Sequence, residues 1–406
     1  MKRPSDDFDR IFFIALVLLL AIGIAVVYSA CQGGEDLGPG SDLWQKQIVF
    51  ALIGLIAFGI CAAVPHELWE RIAPGLYIVA IVTLVAVLLI GSSAGGARRW
   101  IALGGFRFQP SEFGKFATIL FLARVLALRR RPTESIWGMM VPALICLVPA
   151  GLVLKEPDLG TALVYLAFCL PMLYWSGVSF PYLLLCSSPL ISVLCATNLF
   201  SWIGFTIFLL ALAYFTKAML LDKIVYGSLS IFAGIVTPLL WHHLEPYQQQ
   251  RFIAFLDPTR YSSGAGYQII QSKVAVGSGG LVGVGYLDGT QKGLAFLPAR
   301  HTDFIFSVVG EEFGFLGTII VVALFTTLLV RGYWIAAGSR DPFPGLVVVG
   351  ILSMLTFQVF LNIGMALGLV PVTGVPLPIL SYGGTSLMST LAALGLVMGA
   401  ALRRRI

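Results

Sequence analysis

The chain reads as an all-α polytopic membrane protein, a single integral membrane domain over residues 1–406, and three observations predict it. Of its 406 residues, 58% are hydrophobic and only 11% are charged, whereas an ordinary soluble domain carries about 25% charged residues. Apolar runs close to the roughly 20 residues that cross a bilayer recur along the whole length. Basic residues collect beside alternate ends of those runs, as orientation in a membrane demands. The net charge of +6 is therefore a statement about orientation. It does not suggest nucleic acid, since the basic clusters flank spans and form no soluble basic face.

Taken in order, the first run, 11–28, follows a charged head with Lys2, Arg3, Asp6, Asp7, Asp9 and Arg10. Its end, YSAC, is a weak cleavage site, so an uncleaved first helix is expected. Apolar runs predict spans near 11–30, 45–64, 73–91, 112–128, 138–154 and 161–176. Further spans follow near 181–197, 200–216, 225–241, 304–330, 343–366 and 383–402. Glycine and proline punctuate them freely, as membrane helices tolerate. The six cysteines lie mostly inside apolar runs without CxxC spacing, which reads as small core residues.

Lys2, Arg3 and Arg10, then Arg124 with Arg129–Arg131, Lys217 and Lys223, Arg331 and Arg340, and Arg403–Arg405 fall on one side if the spans alternate. That side is cytoplasmic by the positive-inside rule, with both termini inside. The acidic loop 32–44 lies outside. Two outside loops are nevertheless basic: 92–112, reading SSAGGARRWIALGGFRFQPSE, and the long loop 242–303 with Arg251, Arg260, Lys273, Lys292 and Arg300. Cations there point either to phospholipid headgroups or to an outside ligand with negative charge. The long loop is expected to be structured: YQIIQSKVAV at 267–276 has helical spacing and suits an interfacial helix, with Lys273 reaching headgroups.

Ionisable residues concentrate in LPARHTDFIFSVVGEEFG at 297–314, and at membrane depth such groups are functional candidates. Asp303 and Glu311 would stand about 12 Å apart along a helix, too far for the carboxyl pair of a glycosidase. Transfer of a sugar from a diphosphate donor has other needs: cations for the leaving anion and one general base for the attacking hydroxyl. Asp303 either serves as that base or has a structural part, capping the helix or pairing with Arg300. Other polar clusters recur at outer span ends. Arg107, Gln109 and Glu112 lead into Lys115, and Glu112 with Lys115 can simply pair at i, i+3. Asp158 can cap the next helix. The stretch PVTGVPLPILSYGGTS at 371–386, containing Ser381, is expected to be stiff and re-entrant.

Together GARRW (96–100), RFQPSE (107–112), EPDLGTA (156–162), GAGYQIIQSKVAVGSGG (264–280), GTQKGLAFLPARHTDFIF (289–306), GEEFG (310–314) and GVPLPILSYGGTS (374–386) resemble the SEDS family (shape, elongation, division and sporulation) over nearly the whole chain. The wording GTQ and LPARHTDFIF is most similar to its rod-shape branch. The resemblance implies a peptidoglycan glycosyltransferase that polymerises lipid II at the outer face of the bacterial cytoplasmic membrane during cell elongation. The aspartate of HTDF, here Asp303, would act as base for the 4-hydroxyl of the acceptor GlcNAc, and undecaprenyl diphosphate would leave. It also implies a class B penicillin-binding protein as transpeptidase partner, the elongation machinery as further company, and a divalent cation such as Mg or Mn. Arg99, Arg107, Lys115, Lys273 and Arg300 become candidates for the diphosphate, with Gln109, Glu112, Asp158, His301 and Ser381 as further substrate contacts.

Two features depart from the family. Ser262-Ser263 stand where Asp-Pro often precedes GAGY, so they receive no role. Residues 179–242 have room for three spans where the ten-helix pattern needs one, so an extra helix pair near 181–216 is expected beside a ten-helix core. A lipid II flippase, or a scaffold that only recruits a penicillin-binding protein, is the competing function. A flippase needs a polar path across the membrane, whereas the polar motifs gather at outer span ends, which favours the enzyme.

Overall fold

The computed structural model describes residues 8–32, 42–94, 97–103, 106–129, 134–243, 246–258, 265–289 and 300–403. Its helices are α1 (Arg10–Cys31), α2 (Leu43–Ala63), α3 (His66–Ile90), α4 (Pro110–Ala127), α5 (Ile136–Lys155) and α6 (Leu159–Trp175). They continue with α7 (Phe180–Cys195), α8 (Leu199–Phe215), α9 (Leu220–His243), α10 (Pro246–Leu256) and α11 (Ala265–Ser278). Last come α12 (Ile305–Ala337), α13 (Pro342–Ala366) and α14 (Gly384–Leu402). Eight of these are long and apolar enough to cross a membrane, and α6, α7 and α8 are shorter apolar helices. The chain is a multi-pass membrane protein, because only closed hydrogen-bonding such as a helix's satisfies a backbone in lipid.

The most buried helices, α13 and α14, form the centre. α14 lies chiefly on α2, α6 and α4 lie on α13, and α1 packs along α12. A methyl group on Gly395 would fall 2.3 Å from the Phe58 carbonyl oxygen, so glycine is what lets α14 approach α2 so closely. The expected extra pair is α7 with α8. It packs with α9 as a peripheral trio that meets the rest through α6 and through polar staples at the start of α5: Ile136 N–H donates to Asp222 at 3.1 Å, and Ser179 N–H to Glu134 at 2.7 Å.

Two features were not anticipated. The basic loop after α3 folds into a three-stranded antiparallel sheet, β1 (Ser92–Ala94), β2 (Ala97–Leu103) and β3 (Phe106–Phe108). The other is a break in α12 at Gly314, with φ 63. The glycine-rich segment after α11 plugs it: the amides of Val284 and Gly285 donate to the carbonyls of Glu311 and Glu312 at 3.0 and 3.2 Å. In return, the amides of Phe315 and Leu316 donate to Gly280 and Leu281 at 2.9 and 3.1 Å. Remote backbone thus replaces the helical bonds the break removes, and without it unpaired groups would face lipid.

Candidate active site

A cavity of about 840 Å³ opens at the end of the bundle where α2, α4, α6, α12 and α14 begin. Six polar side chains define its chemistry: Lys46, Arg99, Asp158, Arg251, His301 and Asp303. They come from five different local structures. Lys46 sits in the first turn of α2, Arg99 on β2, Asp158 before α6, Arg251 on α10, and His301 and Asp303 just before α12. Gln109 and Glu112 line the cavity from the start of α4.

Asp303 is half-buried, and its carboxylate faces the backbone of Gly374. Burial pushes its pKa up to about 6, with Asp158 adding to the rise. A hydrogen bond with Thr302 and the charges of Arg251 and Arg99 oppose it. The group is thus ionised at neutral pH yet more basic than an ordinary carboxylate near 3.9. Burial and neighbouring Arg300 push His301 down from its usual value, so its ring is neutral at pH 7.

Asp158 caps α6, accepting from Thr161 N–H at 3.1 Å and from the Thr161 hydroxyl at 3.0 Å, and its other neighbour is Arg99 at 3.5 Å. Arg99 also donates to the carbonyls of Glu156 and Pro157. The capping role expected for Asp158 therefore coexists with a place in the cavity wall. Beside it Glu156 is buried, and burial, then Asp158, raises its carboxyl to about 8. It is mostly protonated at neutral pH and so adds little negative charge beside the cavity.

The remaining candidates are dispersed. Lys115 is buried and pairs with Glu112 at 2.8 Å, the i, i+3 contact foreseen from spacing. Arg300 is buried and donates to the Ala30 carbonyl at the end of α1, at 2.9 Å. Lys273 is exposed on α11. A methyl group on Gly368 would lie 2.7 Å from its ammonium, which places the cation by the carbonyl end of α13, where a positive charge suits the helix dipole. Ser381 is buried, with its hydroxyl donating to Thr302 O at 2.6 Å and accepting from Leu377 N–H at 2.8 Å. Arg107 pairs with Ala102 in the β2–β3 register, and its side chain lies outside the described residues. Of the ten expected substrate contacts, the cavity collects Arg99, Gln109, Glu112, Asp158 and His301 around Asp303. Lys46 and Arg251 were missed as site residues. Arg251 carried the one available signal, a cation in an outside loop.

Among the described residues no group of three or more His, Cys, Asp or Glu side chains gathers as a metal site.

The chain matches the family model described as "Cell cycle protein", FTSW_RODA_SPOVE, over residues 9–202 and 180–406. It is 37% identical over 399 residues to the peptidoglycan glycosyltransferase MrdB of Escherichia coli (strain K12), covering 98% of this chain and 94% of that protein. It is 36% identical over 403 residues to stage V sporulation protein E of Bacillus subtilis (strain 168), covering 98% of both. Its structure is similar, with a TM-score of 0.73, 31% identity and 98% of each chain covered, to a chain from a study titled "Structural coordination of polymerization and crosslinking by a peptidoglycan synthase complex".

Proposed function

The chain belongs to the FtsW, RodA and SpoVE family of cell cycle proteins, the SEDS family, and from that membership we propose that it is a peptidoglycan glycosyltransferase that polymerises lipid II. The observation that carries this reading is Asp303, a carboxylate held more basic than usual, in one polar cavity with Arg99, Arg251 and Lys46. In the proposed reaction the 4-hydroxyl oxygen of the acceptor GlcNAc attacks the anomeric carbon of the lipid-linked donor. Its proton passes to Asp303. The bond from the anomeric carbon to phosphate oxygen breaks, and its electron pair leaves on undecaprenyl diphosphate. The cations supply the charge that the departing diphosphate needs, and Asp303 needs only to be ionised and within hydrogen-bond reach.

A second groove of about 370 Å³ supports a lipid-linked substrate. It is lined by Trp69, Leu76, Phe113, Phe116 and Met388, and it shares Glu112 and Thr385 with the polar cavity. A polyprenyl chain has apolar wall there while its diphosphate reaches the cations. The donor set fits a hydrated divalent cation that shares substrate phosphates better than a cage of protein ligands. Asp158 would be its protein oxygen, and such a cation would add positive charge beside the diphosphate. The cavity end is the outer face of the cytoplasmic membrane on the positive-inside reading, with both termini inside. The rod-shape wording of the motifs supports an elongation role. A class B penicillin-binding protein is the partner that would crosslink the product.

The test is polymer formation from lipid II by the purified full-length chain with its penicillin-binding partner. Wild type should make glycan and Asp303→Asn should not; equal polymer from both would remove the base assignment.

A further inference from the structure

The backbone that carries Asp303 is held by three donors in succession. The His301 carbonyl accepts from Tyr382 N–H at 2.9 Å, and the Thr302 carbonyl from the Ser381 hydroxyl at 2.6 Å. The Asp303 carbonyl accepts from the side-chain amide of Asn362 at 2.8 Å. The same Asn362 nitrogen donates to Val375 O at 2.9 Å. Both partners are carbonyl oxygens, so the amide orientation is determined: the nitrogen must face them. Asn362 is fully buried near the end of α13 and ties the segment before α12 to the loop before α14.

That loop is anchored from its far side as well. Gln47 of α2, fully buried, donates to Ser381 O at 3.1 Å and accepts from Gly383 N–H at 3.4 Å. Ile379, buried and β-branched, is held at φ 70, a conformation that persists only where the surroundings over-determine it. Gly374, whose backbone faces the Asp303 carboxylate, belongs to the same loop.

We propose that Asn362 is a positioning residue for the transfer reaction, acting through the Asp303 carbonyl to hold the carboxylate over the cavity, with Ser381 and Gln47 completing the clamp. It touches neither sugar nor phosphate. Its work is to keep the base at a fixed distance from the attacking hydroxyl. Ser381, expected from the sequence to contact substrate, belongs to this clamp, its hydroxyl already engaged by Thr302 and Leu377.

The proposal rests on Asp303 being the base, and the experiment separates the two. Steady-state polymerisation of lipid II is measured with the full-length chain and its partner for wild type, Asp303→Asn, Asn362→Leu and Ser381→Ala, alongside the melting temperature of each. Displacing a base by about 1 Å costs on the order of 10²-fold, so Asn362→Leu should lower kcat at least tenfold with KM within about twofold. Ser381→Ala should lower kcat by less, again at constant KM, and it decides the matter if Asn362→Leu does not fold. A rise in KM at unchanged kcat for Ser381→Ala, or wild-type kcat in folded Asn362→Leu, would overturn the clamp while leaving Asp303 in place. Wild-type turnover by Asp303→Asn would instead remove the reading beneath it.

Discussion

Asp303 and the pair Glu311–Glu312 are neighbouring carboxylates on one stretch of chain, and each looks equally out of place beside a membrane. Their surroundings differ in kind. Asp303 faces a cavity with Arg99, Arg251 and Lys46 around it. Glu311 and Glu312 are both 1% exposed beside the break in α12. There Ser29 donates to Glu312, and the plug from 279–285 closes over the backbone. The contrast teaches that an ionisable residue at membrane depth is not functional by position alone. What it faces decides: a space a substrate can enter, or packed protein that closes around it.

The largest expected difference tests that contrast directly. Asp303→Asn should cut polymerisation by about 10²- to 10⁴-fold, the range for a lost general base, with the melting temperature little changed. Glu312→Gln should do the opposite, costing about 1–3 kcal/mol of stability by disturbing a buried hydrogen bond while turnover per folded molecule stays within a few fold. A polymerisation assay paired with thermal unfolding reads both, and a reversed pattern would break the comparison.

A pH profile sharpens it. As the proposed base Asp303 would have to be ionised, and its pKa is raised to about 6, so activity should fall as pH drops through about 6. Arg251 opposes that rise, so Arg251→Ala should move the acid limb to higher pH as well as slow turnover. A limb that stayed in place would mean another group controls it.

Stability responds next. Gly314→Val puts a β-branched residue at φ 63, where even a methyl would lie 2.4 Å from Gly283 N. A loss of about 2 kcal/mol or more is expected, given both strain and displaced plug. An unchanged melting temperature would show that the plug does not seal the break. The smallest effect should be Lys273→Ala. An exposed cation outside the cavity lining should cost about 0.5 kcal/mol or less, with kcat and KM unaltered; a raised KM for lipid II would return Lys273 to the substrate.

Much of this was legible in the residues. The twelve apolar runs correspond to α1–α9 and α12–α14, and the extra pair at 181–216 is α7 with α8. Span position is a local sum of hydropathy over about 20 residues, which a single stretch contains. The pairing of Glu112 with Lys115 and the capping by Asp158 were legible for the same reason, since both partners lie within one turn. The sheet at 92–108 was not, although alternation in RWIAL and FRF hinted at it, because strands acquire meaning only when paired.

Sequence alone, then, determined where the apolar helices lie, the end where polar motifs gather, and Asp303 as the carboxylate to examine. Tertiary structure alone decided which cations face it. Lys46 and Arg251 come from α2 and α10, while Arg300 and Lys273 turn to the ends of α1 and α13. It also decided that the break at Gly314 is filled by 279–285 and that Asn362, far along the chain, holds the Asp303 carbonyl. The physical reason is range. Hydropathy and capping act between neighbours in the chain, whereas a cavity, a plug and a clamp are made of hydrogen bonds and charges whose partners meet only after the helices pack.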